Sequence, residues 1–254
     1  YLVQVTSQTN RFGGDVFYRL QIAPPPTQDF KLTVTPDEIN LGPGGSVALT
    51  VNVQRIAGYG AAIPLKMEGL PAGVTASYST IPAGQNSASF TLTADPNAAA
   101  GALGMLKIIG TGTLNGQEVQ REAQPIEIYR QPLAAENQNS ERDILLFPVT
   151  VMNPQPFALD IEPRQVTVKK GQSVEIKIKA IRQMGQNAQI AIAVAGQPAN
   201  VTPAAQPIAA NQNEVVLKIT AAGNAPVVTQ NLIITGTMNN VAHVAPALTL
   251  TITD

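Results

Sequence analysis

The chain has no cysteine and no tryptophan, a single histidine, and few charges: only 13% of its 254 residues are Asp, Glu, Lys or Arg. Without cysteine there is no disulfide and no thiolate metal ligand. The compartment stays open, because a domain of roughly 100 residues can build a core without cross-links. One histidine means that any Ser-His-Asp arrangement would have to use His243. Lys and Arg number 16 against 17 Asp and Glu, and no basic run offers phosphates a footprint, which argues against nucleic acid as a partner. No stretch approaches the roughly 18 to 20 continuous apolar residues of a membrane helix. There is neither an initiating Met nor a charged-then-apolar leader, and Tyr1 to Val5 already alternate like a strand, so the chain is expected to begin inside a larger protein.

What is present is apolar and β-branched. Apolar residues make up 44% of the chain, so with so few charges the surface must be covered by Thr, Ser, Asn and Gln, a style that suits an extracellular β-protein. The apolar runs are short and alternate: Leu32-Val34, Val47-Leu49-Val51-Val53, Phe90-Leu92, Val174-Ile176-Ile178, Val215-Leu217-Ile219 and Leu248-Leu250-Ile252. Period two over such lengths predicts half-buried strands. Turn residues separate them, as at Gly42-Pro43-Gly44-Gly45, Asn115-Gly116, Lys170-Gly171 and Asn239-Asn240. No segment carries the period of an amphipathic helix.

The strongest signal is an internal repeat. A shift of 127 places Phe30 on Phe157, Leu32 on Leu159, Pro36 on Pro163, Ser46 on Ser173, Val47 on Val174 and Arg55 on Arg182. The same shift carries Gly69, Pro71, Ala72, Val74 and Thr75 onto Gly196, Pro198, Ala199, Val201 and Thr202. After a shortening of three residues in the second copy, Gly112-Thr113 meets Gly236-Thr237. Duplication of one domain explains this. Pro36 and Pro163 cannot donate to a ladder and predict an edge or bend. In Gly69 to Thr75, Pro71 fixes one dihedral and Gly73 takes a positive one; Asn200 replaces Gly73 in the second copy and tolerates the same conformation.

This layout resembles the bacterial immunoglobulin-like domains that occur in tandem in secreted and cell-surface proteins, with their recurring Leu-Pro-x-Gly-Val-Thr connection, complete here at Leu70 to Thr75 and degraded at Gln197 to Thr202. The resemblance implies seven-strand sandwiches with Greek-key connections and no single function. Tyr1-x-Val3-x-Val5, a turn at Gly13-Gly14 and Tyr18-x-Leu20-x-Ile22 resemble the last hairpin of a pre-peptidase C-terminal domain, and Pro24-Pro25-Pro26 then makes a stiff spacer. The expected fold is therefore all-β: an N-terminal β-hairpin from a preceding sandwich plus spacer (1–27), a first immunoglobulin-like sandwich (28–153) and a second (154–254). Within the first, Gln131 to Arg142 reads as a loop. Ile144 to Val151 reads as its closing strand or as packing between the two domains.

No catalytic, cofactor-binding or metal site emerges from the residues. His243, in Val241-Ala242-His243-Val244-Ala245, reads as an ordinary surface histidine on an edge strand, with no nucleophile elbow nearby. Calcium needs only oxygen ligands, yet the carboxylates at Asp37-Glu38 and Asp160/Glu162 lack the spacing of a calcium loop. Tyr59, in a Gly58-Tyr59-Gly60 loop, and Tyr78 are the aromatic candidates for a surface contact. Asn200-Val201-Thr202 matches a glycosylation acceptor but reads as a turn. Lys169, Lys170, Lys177 and Lys179 read as the solvated face and edge of a strand. The sequence thus predicts a non-catalytic extracellular or cell-surface module: a spacer, stalk or surface-assembly unit. Its partners would be other domains of the same polypeptide, itself, or an extracellular polymer. Accessory domains of an exported peptidase or other hydrolase are the alternative, and a carbohydrate-binding module a weaker one.

Overall fold

The computed structural model describes residues 27–77, 79–130 and 139–254. The expected N-terminal hairpin and its proline spacer lie outside the described residues, as does Tyr78. Every regular element among the described residues is a strand, and these strands enclose two separate hydrophobic cores. One is built from Phe30 to Val151 and the other from Phe157 to Ile252.

In the first sandwich the strands are β1 (Asp29–Thr35), β2 (Ile39–Leu41), β3 (Ser46–Ile56), β4 (Ile63–Glu68), β5 (Val74–Ala76), β6 (Thr80–Ile81), β7 (Ser87–Ala94), β8 (Leu103–Met105), β9 (Lys107–Leu114), β10 (Gln117–Arg130), β11 (Asn139–Asp143) and β12 (Pro148–Val151). One sheet runs β5-β7-β3-β1 and continues through a short parallel pairing of β1 with β10, from Leu32↔Ala123 to Val34↔Pro125, into β10-β9-β4-β6, with β2-β12-β8 completing the sandwich. The second follows with β13 (Phe157–Glu162), β14 (Gln165–Lys169), β15 (Ser173–Arg182), β16 (Ala191–Ala195), β17 (Val201–Ala204), β18 (Glu214–Ala221), β19 (Thr229–Met238), β20 (Val241–Val244) and β21 (Leu248–Thr253). Its sheets are β17-β18-β15-β13, and β16 and β14 flanking β19 with β20 and β21. Alternation does the sorting: on β3, Leu49, Val51 and Val53 point inward to Phe90 and Leu92 of β7, while the even-numbered residues face outward.

The repeat is visible in the ladders. β1 pairs with β3 up to Thr35, and beyond Pro36 the chain changes sheets, where β2 runs parallel to β12. Pro163 marks the same change between β13 and β14. Both prolines follow cis peptide bonds. Gly73 has φ 77° and Asn200 φ 61°, the positive dihedral expected of that position in each copy. Matched arginines tie the loops down. Arg55 donates to the carbonyls of Ala61 (2.8 Å), Pro82 (3.0 Å) and Gln85 (2.8 Å), and Arg182 donates to those of Ala188 (2.7 Å) and Gln212 (3.0 Å).

Two sequence readings change. Asn139 to Arg142 is strand, not loop: β10 continues beyond its pairing with β9 and pairs with β11 from Ile126↔Asp143 to Arg130↔Asn139. A ladder needs backbone partners rather than apolar side chains, so polarity hid this strand; Glu127 and Arg142 face each other across it and form an ion pair. Second, Gly236 is the counterpart of Gly110, not of Gly112. Leu65 pairs with Gly110 where Ile192 pairs with Gly236, and a β-carbon on either glycine would meet the matched pair Leu32/Ile63 or Leu159/Ile190. The hairpin that follows is shorter by two residues in each strand of the second copy, since Gly110 faces Arg121 but Gly236 faces His243. Of the two readings of Ile144 to Val151, the closing strand is the one found. Pro148 to Val151 form β12, with Val149 and Val151 buried in the first core.

Candidate functional site: the junction between the sandwiches

Among the described residues the buried polar ones are Ser46, Ser79, Thr91, Asn231 and Thr249, and four of these five, all but Ser79, lie where the two sandwiches meet. The outward face of β3 and β7 in the first copy packs on β19, β20 and the start of β21 in the second. Val244 on β20 pairs with Ser46 on β3. The Asn231 side chain donates from Nδ2 to the Ser89 carbonyl at 3.1 Å and accepts at Oδ1 from Thr249 Oγ1 at 3.0 Å. The backbone N–H of Ala247 donates to Thr91 Oγ1 at 2.7 Å. Ser46 with Thr93 and Thr50 with Ser89 pair hydroxyl to hydroxyl across the strands of that face. Buried polar groups are tolerated only when partnered, so these bonds set the register of one sandwich on the other.

The connection is short and held. Only residues 152–156 separate β12 from β13, and Pro154 and Pro156 stiffen them. Gly42 lies under this segment: a β-carbon there would come within 2.7 Å of Gln155 Cγ and 3.2 Å of the Asn153 carbonyl. Glycine is needed because the two chain segments touch.

The two copies differ in this outward face. Where the first copy has Ala48, Thr50, Ser87 and Thr91, the second has Glu175, Lys177, Glu214 and Lys218 at the shift of 127. Pairing puts two of these positions side by side in each copy, as Ala48↔Thr91 and Glu175↔Lys218. Thr91 is 1% exposed and Ala48 and Thr50 are half-buried, while Ser87 at the margin stays exposed; all four charged counterparts face solvent. Burying an ammonium or carboxylate without a partner costs several kcal/mol, which accounts for neutral residues on the covered face and charge on the open one. In the second copy Lys177 pairs with Glu214 at 3.3 Å and Lys179 with Glu162 at 3.0 Å, so the solvated strand face expected around these lysines is what is found.

The individually weighed residues fall elsewhere. Tyr59 is not a surface contact residue: it is 3% exposed, stacks on Phe30 with ring centroids 5.1 Å apart, and lies under the Arg55 guanidinium. Gly112 makes the room, since a β-carbon there would sit 2.5 Å from both Phe30 and the Tyr59 hydroxyl. Exposure of a glycine-flanked aromatic was the expectation; burial of roughly 150 to 250 Å² of ring surface is the stronger force. His243 is half-buried rather than an ordinary surface side chain. It packs edge-on against Phe157 at 4.8 Å, and its Nε2 is buried with no hydrogen-bond partner. Burial holds its pKa below the usual 6.5. It opens on a junction cavity of about 390 Å³ whose other lining residues, among them Asn40, Ser46 and Gln155, include no charged group. Asp160 pairs with Arg164 at 2.8 Å, and Glu162 with Lys179. No group of three or more His, Asp or Glu that could hold a metal occurs among the described residues.

No protein-family model and no curated protein matches the sequence. Among solved structures the chain is similar to the D0-D1 domain of intimin, at 12% identity over 87% of this chain and 97% of that one, with a TM-score of 0.29. It is also similar to domains 5-6 of the S-layer protein SbsC, at 14% identity over 89% of this chain and 100% of that one, with a TM-score of 0.33.

Proposed function

We propose that this chain is a non-catalytic structural module of an extracellular or cell-surface protein, in which the paired sandwiches act as a rigid spacer and interaction surface. One observation carries the reading: the sandwiches meet through a buried, hydrogen-bonded polar seam whose residues differ between the copies according to whether the face is covered. A seam of this kind holds two bodies at one angle, which a spacer needs and a flexible tether does not. The low charge and the Thr/Ser/Asn/Gln surface fit an extracellular setting.

Rigidity is tested directly, because the chain has no cysteine to interfere. Spin labels on Gln54→Cys and Asn187→Cys, one exposed site in each sandwich, should give a single narrow distance distribution; a broad one refutes the spacer. Location is tested by immunogold electron microscopy of intact producing cells. Gold outside the envelope is the expected result, and labelling only after permeabilisation refutes it.

A further inference from the structure

The seam is formed by one face of the first copy and a different face of the second, so each copy carries one face of each kind. The free face of the second copy, β15 and β18, is the charged one. The free face of the first copy is the counterpart of the surface that Asn231, Ala247 and Thr249 present in the second. The ladders fix this equivalence. Val149 lies beside Ile39 on β2 as Leu250 lies beside Val166 on β14. Leu103 then pairs with Thr150 as Thr229 pairs with Thr251, and Met105 with Pro148 as Asn231 with Thr249. Leu103, Met105, Leu146 and Pro148 therefore stand where Thr229, Asn231, Ala247 and Thr249 stand in the second copy.

In the second copy the first sandwich covers this place at Asn231, Ala247 and Thr249, while Thr229 at its end stays exposed. In the first copy it is an open strip: Leu103 is 59% exposed, Met105 45%, Leu146 64% and the adjoining Leu145 95%, bordered by exposed Lys107 and Glu122 where the second copy has Ile233 and Val244. Contiguous apolar surface of this kind marks a contact. We infer that this strip is the docking face for the outer sheet of another sandwich of the same repeat type, one whose face carries small neutral residues as β3 and β7 do here. This chain cannot itself supply such a face to a second molecule, because its neutral one is covered in the seam and its other one is charged. The array thus has a direction: the strip accepts a neighbour on one side, and Glu175, Lys177, Glu214 and Lys218 end the stack on the other, as the polar outer face of a terminal repeat does.

The test gives the intact chain the face it lacks. Glu175→Ala, Lys177→Thr, Glu214→Ser, Val216→Ser and Lys218→Thr copy the first sandwich's outward residues onto the second, and sedimentation velocity over rising concentration reads association. The native chain should stay monomeric and the grafted chain should form head-to-tail oligomers. Adding Met105→Asp and Leu146→Asp to the graft should return it to monomer with its melting temperature unchanged. A grafted chain that stays monomeric overturns the proposal, as do oligomers indifferent to the two aspartates. Self-association of the native chain that the same aspartates reverse also overturns it, because the occupant would then be the strip of a second copy. None of these outcomes depends on where the protein resides, so the surface reading can fail separately.

Discussion

Replacing Thr91 by Val keeps the shape and the β-branched side chain but removes the acceptor of the seam's shortest bond. Thr91 Oγ1 accepts from the Ala247 N–H at 2.7 Å, and the two residues are 1% and 3% exposed, so the bond is withdrawn from bulk solvent although both residues line a junction cavity of about 200 Å³. A buried N–H left unsatisfied costs about 1 to 3 kcal/mol. That cost falls on the closed seam and not on either core, because the Thr91 N–H keeps its own partner, Ser77 Oγ, at 3.0 Å. At roughly 1.4 kcal/mol per tenfold, opening of the seam should become about 5- to 150-fold more frequent. Amide hydrogen exchange followed residue by residue reads this directly. The Ala247 amide should exchange faster by that factor while amides of β15 and β18, away from the seam, keep their rates. An unchanged Ala247 rate would refute the claim that this bond holds the sandwiches together; uniform acceleration throughout the second copy would place the damage in its core.

Three further outcomes follow from the geometry. Tyr59→Phe should raise the denaturation midpoint of the first sandwich, by about 1 kcal/mol, because the Tyr59 hydroxyl is buried without a hydrogen-bond partner; a loss of stability would mean that the hydroxyl is satisfied. Gly236→Ala should destabilise the second sandwich by about 1 to 3 kcal/mol, since the new methyl would come within 2.7 Å of Leu159 and 2.8 Å of Ile190; an unaltered melting curve would contradict the close packing there. The folded-state pKa of His243 lies below its ordinary 6.5, so the unfolded chain takes up the proton first. Stability linked to His243 is complete above that pH and is lost as pH falls from it towards the folded value. His243→Phe should flatten that slope, measured by urea denaturation between about pH 7.5 and 5. Asp29 adds a separate loss only at lower pH, because its hydrogen bonds from Arg121 and from the Phe30 N–H hold its carboxyl below the carboxylate range. An equal slope in the variant would refute the assignment to His243.

Most of the architecture was legible in the chain. Period two located β3, β7, β15, β18 and β21, the single shift of 127 paired the copies, and Asn115-Gly116 and Asn239-Asn240 marked two hairpin turns whose residues all have positive φ. These features are local or repeat at one spacing, so they survive in one dimension. β11 was not legible, because its pairing with β10 is a backbone property that Ser140, Glu141 and Arg142 do not advertise. The shortened hairpin was misread because Gly-Thr occurs twice in the first copy, at Gly110-Thr111 and Gly112-Thr113, and only the contacts of Gly236 with Leu159 and Ile190 decide between them.

The seam had a signal in the sequence, in the positions where two copies of one domain disagree: Ala48 against Glu175, Thr50 against Lys177, Thr91 against Lys218. Such differences say that the two faces live in different surroundings without saying which surroundings. Alternation, proline and glycine placement determine two all-β sandwiches joined in tandem, since each acts through the backbone of its own segment. Which face is covered, and that Tyr59 turns inward while Leu146 stays out, was decided only by the tertiary structure. Burial depends on the distance between segments more than a hundred residues apart, and one-dimensional spacing does not carry that distance.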